Sequence, residues 1–294
     1  MEVTATAPAK INLTLEITGR RADGYHLLRT VFQGISLRES VAVWKEEEPG
    51  IRLSIAGASL PADESNTAWK AAAFFQEHTG FPLPGVGIRV HKHVPIGAGL
   101  AGGSADAAAV LAALNELAGT RLRLDELCEI GARVGADVPF CLMGGTAVGA
   151  GTGTILTPLP DLLPCLIVVS KPDAGISTAE AYRRLDGAAG LPVPRSAAME
   201  QAVCSGDLLA VGRELCNVFE AVAGLPEVEE IKKTMRAHHA LGCQMTGSGS
   251  AVFGLFDEHT AAEHCAQELR RRWRDTFLCR PDPDGARVEK KAKL

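Results

Sequence analysis

The stretch Pro95-Ile96-Gly97-Ala98-Gly99-Leu100-Ala101-Gly102-Gly103-Ser104-Ala105 sets four glycines between two periodic segments. Val86–Val94 before it alternates and reads as a strand. Ser104–Ala118 after it is alanine-rich, stops at Gly119 and reads as a helix. Glycines at such a junction accept positive φ and let successive backbone N–H groups point at one anion. The helix N-terminus adds unpaired donors and partial positive charge. Ser104 is placed to cap this helix, and its hydroxyl could also reach a phosphate or a bound metal ion. This is a physical recipe for a triphosphate site. Other readings compete. Gly97-Ala98-Gly99-Leu100-Ala101-Gly102 is also a GxGxxG, as in NAD-linked oxidoreductases. That fingerprint wants a hydrophobic strand running straight into its first glycine near the start of a βαβ unit, whereas Pro95 interrupts here and a long segment precedes it. A Walker loop is excluded because no Gly-Lys-Ser/Thr occurs. A loop that only packs tightly is the plainest alternative, and so many glycines directly before a helix start weigh against it.

The rest of the chain sets bounds. Its 294 residues suggest two domains or one large one. With 46% hydrophobic and 22% charged residues it is ordinary for a globular protein, which excludes a disordered chain and a small disulfide scaffold. A net charge of −5 is a poor basis for binding nucleic acid or an anionic membrane, and neither partner is expected. No apolar run approaches the ~18 residues that cross a bilayer, and the N-terminus lacks the pattern of a secretion signal. No two of the eight cysteines are closer than twelve residues, so they read as free thiols of a cytoplasmic protein rather than as a metal site. The sequence leaves the oligomeric state open.

Early strands are expected at Thr4–Ala9, Ile11–Ile17, Val31–Ser36 and Val41–Trp44, with a helix at Asn66–Thr79, another at Leu124–Val134 and a strand at Thr146–Leu156. The prolines Pro158, Pro160 and Pro164 mark a boundary. The expected organisation is a lobe over residues 1–160, a second over 161–280, and a frayed, lysine-bearing tail over 281–294. A helix with breaks at Gly206 and Gly212 is expected over Glu200–Phe219. Strands and helices in both halves give α+β more readily than a regular βαβα winding.

The glycine loop resembles the phosphate loop of the GHMP kinases, which act on galactose, homoserine, mevalonate and relatives. Pro8-Ala9-Lys10-Ile11-Asn12-Leu13 resembles that family's first motif, and Met245–Phe253 its third, a glycine turn beside the phosphate loop. The DGYH at Asp23–His26 and Ala136-Asp137-Val138-Pro139-Phe140 are similar to a branch that phosphorylates a cytidine-diphosphate-linked alcohol. The resemblance implies a two-lobed α+β kinase fold: an N-terminal mixed α/β lobe, a ferredoxin-like C-terminal lobe and an active site in the cleft between them. It implies ATP as donor, with Mg²⁺ as phosphoryl transfer requires, held by ligands not identified. Pro95–Ala105 would bind ATP, with Lys92 and Asn66 on its adenosine and phosphate side. Ala98, Ala101 and Ala105 stand where the family often has Gly or Ser; alanine is tolerated where φ is negative, so the departure bears on loop geometry more than on activity.

The resemblance pairs Lys10 and Asp137 as catalytic residues. Alone, Lys10 could be an edge lysine that snorkels outward, and Asp137 an N-cap. Asn12 lies two residues beyond Lys10 and so faces the same side, which suggests a polar cleft. The chemistry is sensible: a carboxylate accepts the proton of a hydroxyl as its oxygen attacks the γ-phosphorus, and an ammonium offsets the developing charge. Tyr25 and Tyr182, the two tyrosines of the chain, would bracket a cytosine ring while His26 bonds its edge, and Asn12 would complete the substrate side. A helix tyrosine such as Tyr182 is otherwise more often packing. Alternatives are a sister kinase of homoserine, mevalonate or a sugar, in which DGYH has no base to bind, and a catalytically silent nucleotide-binding relative, against which both Lys10 and Asp137 speak.

Overall fold

The computed structural model describes residues 1–80 and 85–292. In chain order these form β1 (Glu2–Arg20), β2 (His26–Glu46), β3 (Gly50–Ala56), α1 (Thr67–Thr79), β4 (Gly85–His91), α2 (Gly102–Ala118), α3 (Leu124–Val134), α4 (Val138–Met143), β5 (Thr146–Gly151) and β6 (Ile155–Leu159). The second half adds β7 (Leu166–Ser170), α5 (Thr178–Asp186), α6 (Ser196–Ser205), α7 (Leu208–Glu214), β8 (Cys216–Asn217), α8 (Glu220–Ala223) and α9 (Pro226–Ala237). It closes with β9 (Gly242–Met245), β10 (Val252–Phe256), α10 (His259–Arg270), β11 (Thr276–Cys279) and β12 (Arg287–Ala292). Among the described residues these make an eight-stranded mixed sheet in the first lobe and a four-stranded antiparallel sheet, ordered β11-β7-β10-β9, in the second.

The four early strands merge into two. β1 and β2 pair antiparallel along their whole length, from Glu2 opposite Trp44 to Arg20 opposite His26. The register shifts at Pro8/Ala9, Asn12/Thr14 and Ile17/Gly19, so irregular pairing absorbs a proline and a glycine that local propensity reads as breaks. The strand expected over Thr146–Leu156 is instead the hairpin β5–β6, whose turn uses Gly151 at φ +68° and Gly153 at φ +100°. The helix expected over Glu200–Phe219 is cut into α6 and α7 at Gly206, in the left-handed region, and then gives way to β8.

The tail is not frayed over 287–292. Arg287–Ala292 pairs antiparallel with β1 as an edge strand of the first lobe, where alternating charged residues suit a solvent-facing edge. Arg38 holds the segment leading into it: its guanidinium donates to Asp282 Oδ2 at 2.6 Å and to the Gly285 carbonyl at 2.5 Å. The chain therefore returns to the first lobe after completing the second.

One core lies between the large sheet and α1–α4, filled by Val41, Val43, Ile88 and the alanines of α2. A second belongs to both lobes: Ala9, Ile11 and Leu13 of β1 pack with Ala98 and Leu100 of the glycine loop and with Ile167, Val169 and Phe253 of the small sheet. The loop is thus gripped from both sides by buried apolar contacts, which fixes it at the lobe junction.

Candidate active site

A cavity of ≈ 550 Å³ opens between the lobes. One end is walled by Lys92 and the glycine loop, the middle by Lys10, Asn12 and Asp137, and the far end by Leu28, Tyr182 and Phe219.

The loop reaches its place through backbone contacts. Lys10 N–H donates to the Leu100 carbonyl, and Ala251 N–H to the Ala98 carbonyl, both at 3.1 Å. Gly99 sits at φ +75°, and a Cβ there would lie 2.2 Å from the Thr246 carbonyl oxygen, so this position admits no side chain. The glycine turn over 246–249 stacks directly against it. The helix α2 begins at Gly102, two residues before the expected start, so Ser104 lies inside its first turn rather than at the cap. The cap is Ala101, and no side chain closes the helix end. Its first N–H groups are left to face the cleft, as an anion site requires. Ala98 and Ala105 are buried but not at positive φ, so an alanine fits there without backbone strain. Ala101, in contrast, stands at φ +61°, so one of the three alanines does occupy a conformation that favours glycine.

Lys10 is 4% exposed, an inward lysine rather than one that snorkels. Its ammonium donates to Asn12 Oδ1 at 2.8 Å and to the Gly99 carbonyl at 2.9 Å, and lies 3.6 Å from Asp137 Oδ2. Asn12 Oδ1 also accepts from Gly247 N–H at 3.0 Å, while its amide donates to Thr30 Oγ1 at 2.8 Å. Asn12 therefore ties β1 to the second lobe's glycine turn and orients Lys10 beneath the loop. Asp137 does occupy the N-cap position of α4, but its side chain makes no cap bond and remains a third exposed to the cleft.

Lys92 and Asn66 line the cavity, yet their polar groups are already engaged. Lys92 is clamped between Glu39 and Asp106, the latter at 2.7 Å, and all three side chains are nearly inaccessible. Glu39 also accepts from the N–H groups of His93 and Val94 at the loop entrance. Burial, then the charge of Glu39, push the Asp106 carboxyl up to about 7 against the pull of the Lys92 ammonium. Asn66 caps α1, accepting from Ala68 N–H at 2.9 Å, and donates to the Pro61 carbonyl. Glu39 and Asp106 gave no signal in the sequence: one is a single acid in a strand, the other an acid in an alanine helix.

The far end differs most from expectation. Tyr25 is 67% exposed on a tight turn, where Gly24 N–H donates to the Arg21 carbonyl and Tyr25 N–H to Asp23 Oδ1, and it does not line the cavity. Tyr182 does line it, but its face is covered by His26, with centroids 4.7 Å apart and planes 26° apart. Phe219, not anticipated, meets Tyr182 edge-on at 4.8 Å. Tyr25 and Tyr182 thus do not bracket a slot in this structure. Burial, with Asp137 contributing, raises the Tyr182 hydroxyl's pKa, so this ring belongs to the cleft interior.

Family models agree with this geometry. Residues 66–145 match the GHMP kinases N-terminal domain and residues 199–275 the GHMP kinases C-terminal domain. The chain is 42% identical over 266 residues to the 4-diphosphocytidyl-2-C-methyl-D-erythritol kinase of Caldicellulosiruptor saccharolyticus, covering 90% of this chain and 91% of that protein. The chain belongs to the GHMP kinases, in the branch of these relatives. The kinase of the same name from Moorella thermoacetica is 42% identical, covering 95% of this chain and 98% of that one. A crystal structure of 4-(cytidine 5'-diphospho)-2C-methyl-D-erythritol kinase superposes with a TM-score of 0.78 at 35% identity, over 96% of this chain and 100% of the other. A homoserine kinase from Cytophaga hutchinsonii gives the same TM-score at 20% identity over 98% of this chain and 97% of the other, and so shares the fold. The family is one of ATP-dependent small-molecule phosphotransferases, and this chain is such a kinase. No helix among the described residues is long and apolar enough to cross a membrane.

Proposed function

We propose that the chain transfers the γ-phosphoryl group of ATP to the 2-hydroxyl of 4-diphosphocytidyl-2-C-methyl-D-erythritol, a step towards isoprenoid precursors by the non-mevalonate route. The observation that carries the mechanism is the Lys10–Asp137 pair, 3.6 Å apart, on the cavity wall beneath the glycine loop. ATP phosphates lie against the uncapped start of α2, and the acceptor alcohol comes from the aromatic end. Asp137 takes the hydroxyl proton as the oxygen lone pair attacks phosphorus. The bond from the γ-phosphorus to the bridging oxygen breaks, and ADP leaves with that electron pair. Lys10, oriented by Asn12 and the Gly99 carbonyl, offsets charge on the attacking oxygen and the phosphoryl group.

Mg²⁺ fits the donors available. The donors at hand are hard oxygens, the Ser104 hydroxyl and the Asp137 carboxylate that lines the cavity a third exposed, which are the kind of ligand this ion takes. Ser104, in the first turn of α2, and Asp137 are the residues that would hold it. Bound there, it would neutralise phosphate charge. Free cysteines at all eight positions favour a reducing, cytoplasmic setting.

A coupled ADP-release assay over the cytidyl alcohol, mevalonate and homoserine tests the proposal. Turnover of the cytidyl compound is expected. Turnover of mevalonate or homoserine without it overturns the substrate assignment.

A further inference from the structure

Asn217, in β8, is buried, and its backbone is pinned to β1. It stands opposite Leu15 in parallel pairing, and Val218 N–H donates to the Leu15 carbonyl at 3.1 Å. Its side chain reaches across to the glycine turn of the second lobe. The amide donates to the Met245 carbonyl at 2.8 Å and to the Gly247 carbonyl at 2.9 Å, so both of its hydrogens are spent there. Its oxygen accepts from Phe219 N–H at 3.0 Å, and the Phe219 ring lines the cavity. Glu220 Oε2, one residue further on, accepts from Met245 N–H at 2.8 Å. Gly247 is the residue on which Lys10 depends. Its N–H goes to Asn12 Oδ1, one acceptor of the Lys10 ammonium. It also lies against Gly99, whose carbonyl is the other acceptor: with φ at +57°, a Cβ on Gly247 would be 2.8 Å from that oxygen. Hydrogen bonds therefore run from Asn217 through Gly247 and Asn12 to Lys10, and the circuit closes through β1, which carries Lys10, Asn12 and Leu15.

We propose that Asn217 is a positioning residue for phosphoryl transfer: by holding the Met245 and Gly247 carbonyls it fixes Gly247, and through Gly247 the two acceptors that aim the Lys10 ammonium. The inference rests on the role given to Lys10 above. Asn217 touches neither the cleft nor Lys10, so it acts only through the turn. A charge displaced by about 1 Å from the reacting atoms can cost up to about 10²-fold in rate, which is the range such a residue commands. The same side chain also anchors Phe219, so one amide serves the turn with its hydrogens and the cavity wall with its oxygen.

The test measures kcat per folded site, on the alcohol that the unaltered enzyme turns over, in Asn217→Asp, Asn12→Ala and the double variant, with unfolding midpoints alongside. Aspartate keeps an oxygen for Phe219 N–H and sets the other against two carbonyl oxygens. At about pH 8.5, Asn217→Asp is expected to lower kcat about thirtyfold, with the KM for the alcohol within about threefold. Burial beside those carbonyls favours the protonated carboxyl, whose O–H can donate to one of them. The kcat of Asn217→Asp relative to the unaltered enzyme should therefore recover about fivefold between about pH 8.5 and about pH 6. Because Asn217 acts through Gly247 on Asn12, the double variant should be within about twofold of Asn12→Ala alone. Losses that multiply in the double variant overturn the inference, as does a relative kcat that does not recover at low pH. An unchanged kcat per folded site with only a lower unfolding midpoint marks Asn217 as merely structural and also overturns it. The pH arm needs only Asn217→Asp, and decides by itself where Asn12→Ala does not fold. Turnover of mevalonate or homoserine in place of the cytidyl compound removes the substrate assignment and leaves this inference standing. Near-normal kcat in Lys10→Met removes the role of Lys10 and takes this inference with it.

Discussion

The two ends of the cleft are built on different principles. The end proposed to take phosphate, called the phosphate end below, is made of backbone, a glycine loop locked against a second glycine turn and an uncapped helix start, beside a buried Glu39–Lys92–Asp106 cluster. The end proposed to take the base, called the base end below, is made of side chains that meet across the lobes, with His26 on Tyr182 and Asp186 beside it, on elements that reach the surface. Close backbone approach and buried charge tolerate almost no substitution, whereas partly exposed pairs tolerate many. The first end should therefore respond through stability and kcat, and the second through KM and selectivity.

The largest contrast should come from Asp137→Asn, which is expected to lower kcat about 10³-fold while leaving the KM for ATP within about twofold. Steady-state kinetics reads both, and near-normal turnover removes the role given to Asp137. Lys92→Met tests the buried cluster. It leaves Glu39 without its cation and should cost about 3–5 kcal/mol in urea unfolding. Arg20→Met at the exposed pair of the base end should cost less than about 1 kcal/mol. Equal costs would break the comparison.

The base end gives the next effect. Tyr182→Ala should raise the KM for the alcohol about tenfold, the loss of one ring contact, while Tyr25→Ala changes it by less than about threefold. A larger effect at Tyr25 would show that its turn folds inward when substrate binds.

The pH response of stability singles out the phosphate end. The Asp106 carboxyl has its pKa raised on folding from 3.8 to about 7, so the folded state holds a proton that the unfolded chain releases. Stability should then fall as pH rises between those values and level off above. Unfolding midpoints of Asp106→Asn at pH 4.5 and pH 7.5 should lack this contribution, and an unchanged slope argues against it. A small effect of opposite sign is expected from Ala101→Gly, which relieves a left-handed alanine and should stabilise the enzyme by about 1 kcal/mol by calorimetry.

These contrasts explain what could be read in advance. Gly97, Gly99, Gly102 and Gly103 marked a turn able to cradle an anion, and Gly97 and Gly99 do take positive φ, with no room for a Cβ at Gly99, while Lys10 and Asn12 announced a polar face by their spacing. The strand breaks were misplaced because irregular pairing along β1 and β2 accommodates Pro8 and Gly19 once a partner strand is present. The tail over 287–292 was misjudged for a related reason. An edge strand needs few apolar residues, so β12 looks like a solvated tail until β1 is beside it. Glu39 was invisible because a buried acid in a strand differs from a solvated one only by what packs over it.

By itself, then, the sequence pointed to a glycine turn before a helix start and to a polar face at Lys10 and Asn12, since these rest on local backbone requirements and short-range spacing, while its motifs carried the resemblance to the kinase family that the family models match and that pairs Lys10 with Asp137. Only the tertiary structure decided that Lys92 is held by Glu39 and Asp106, that Tyr182 faces the cleft while Tyr25 faces solvent, and that His26 and Asp186 meet across the lobes. Each of those depends on groups far apart in the chain, whose contact energy exists only after the lobes have closed on one another.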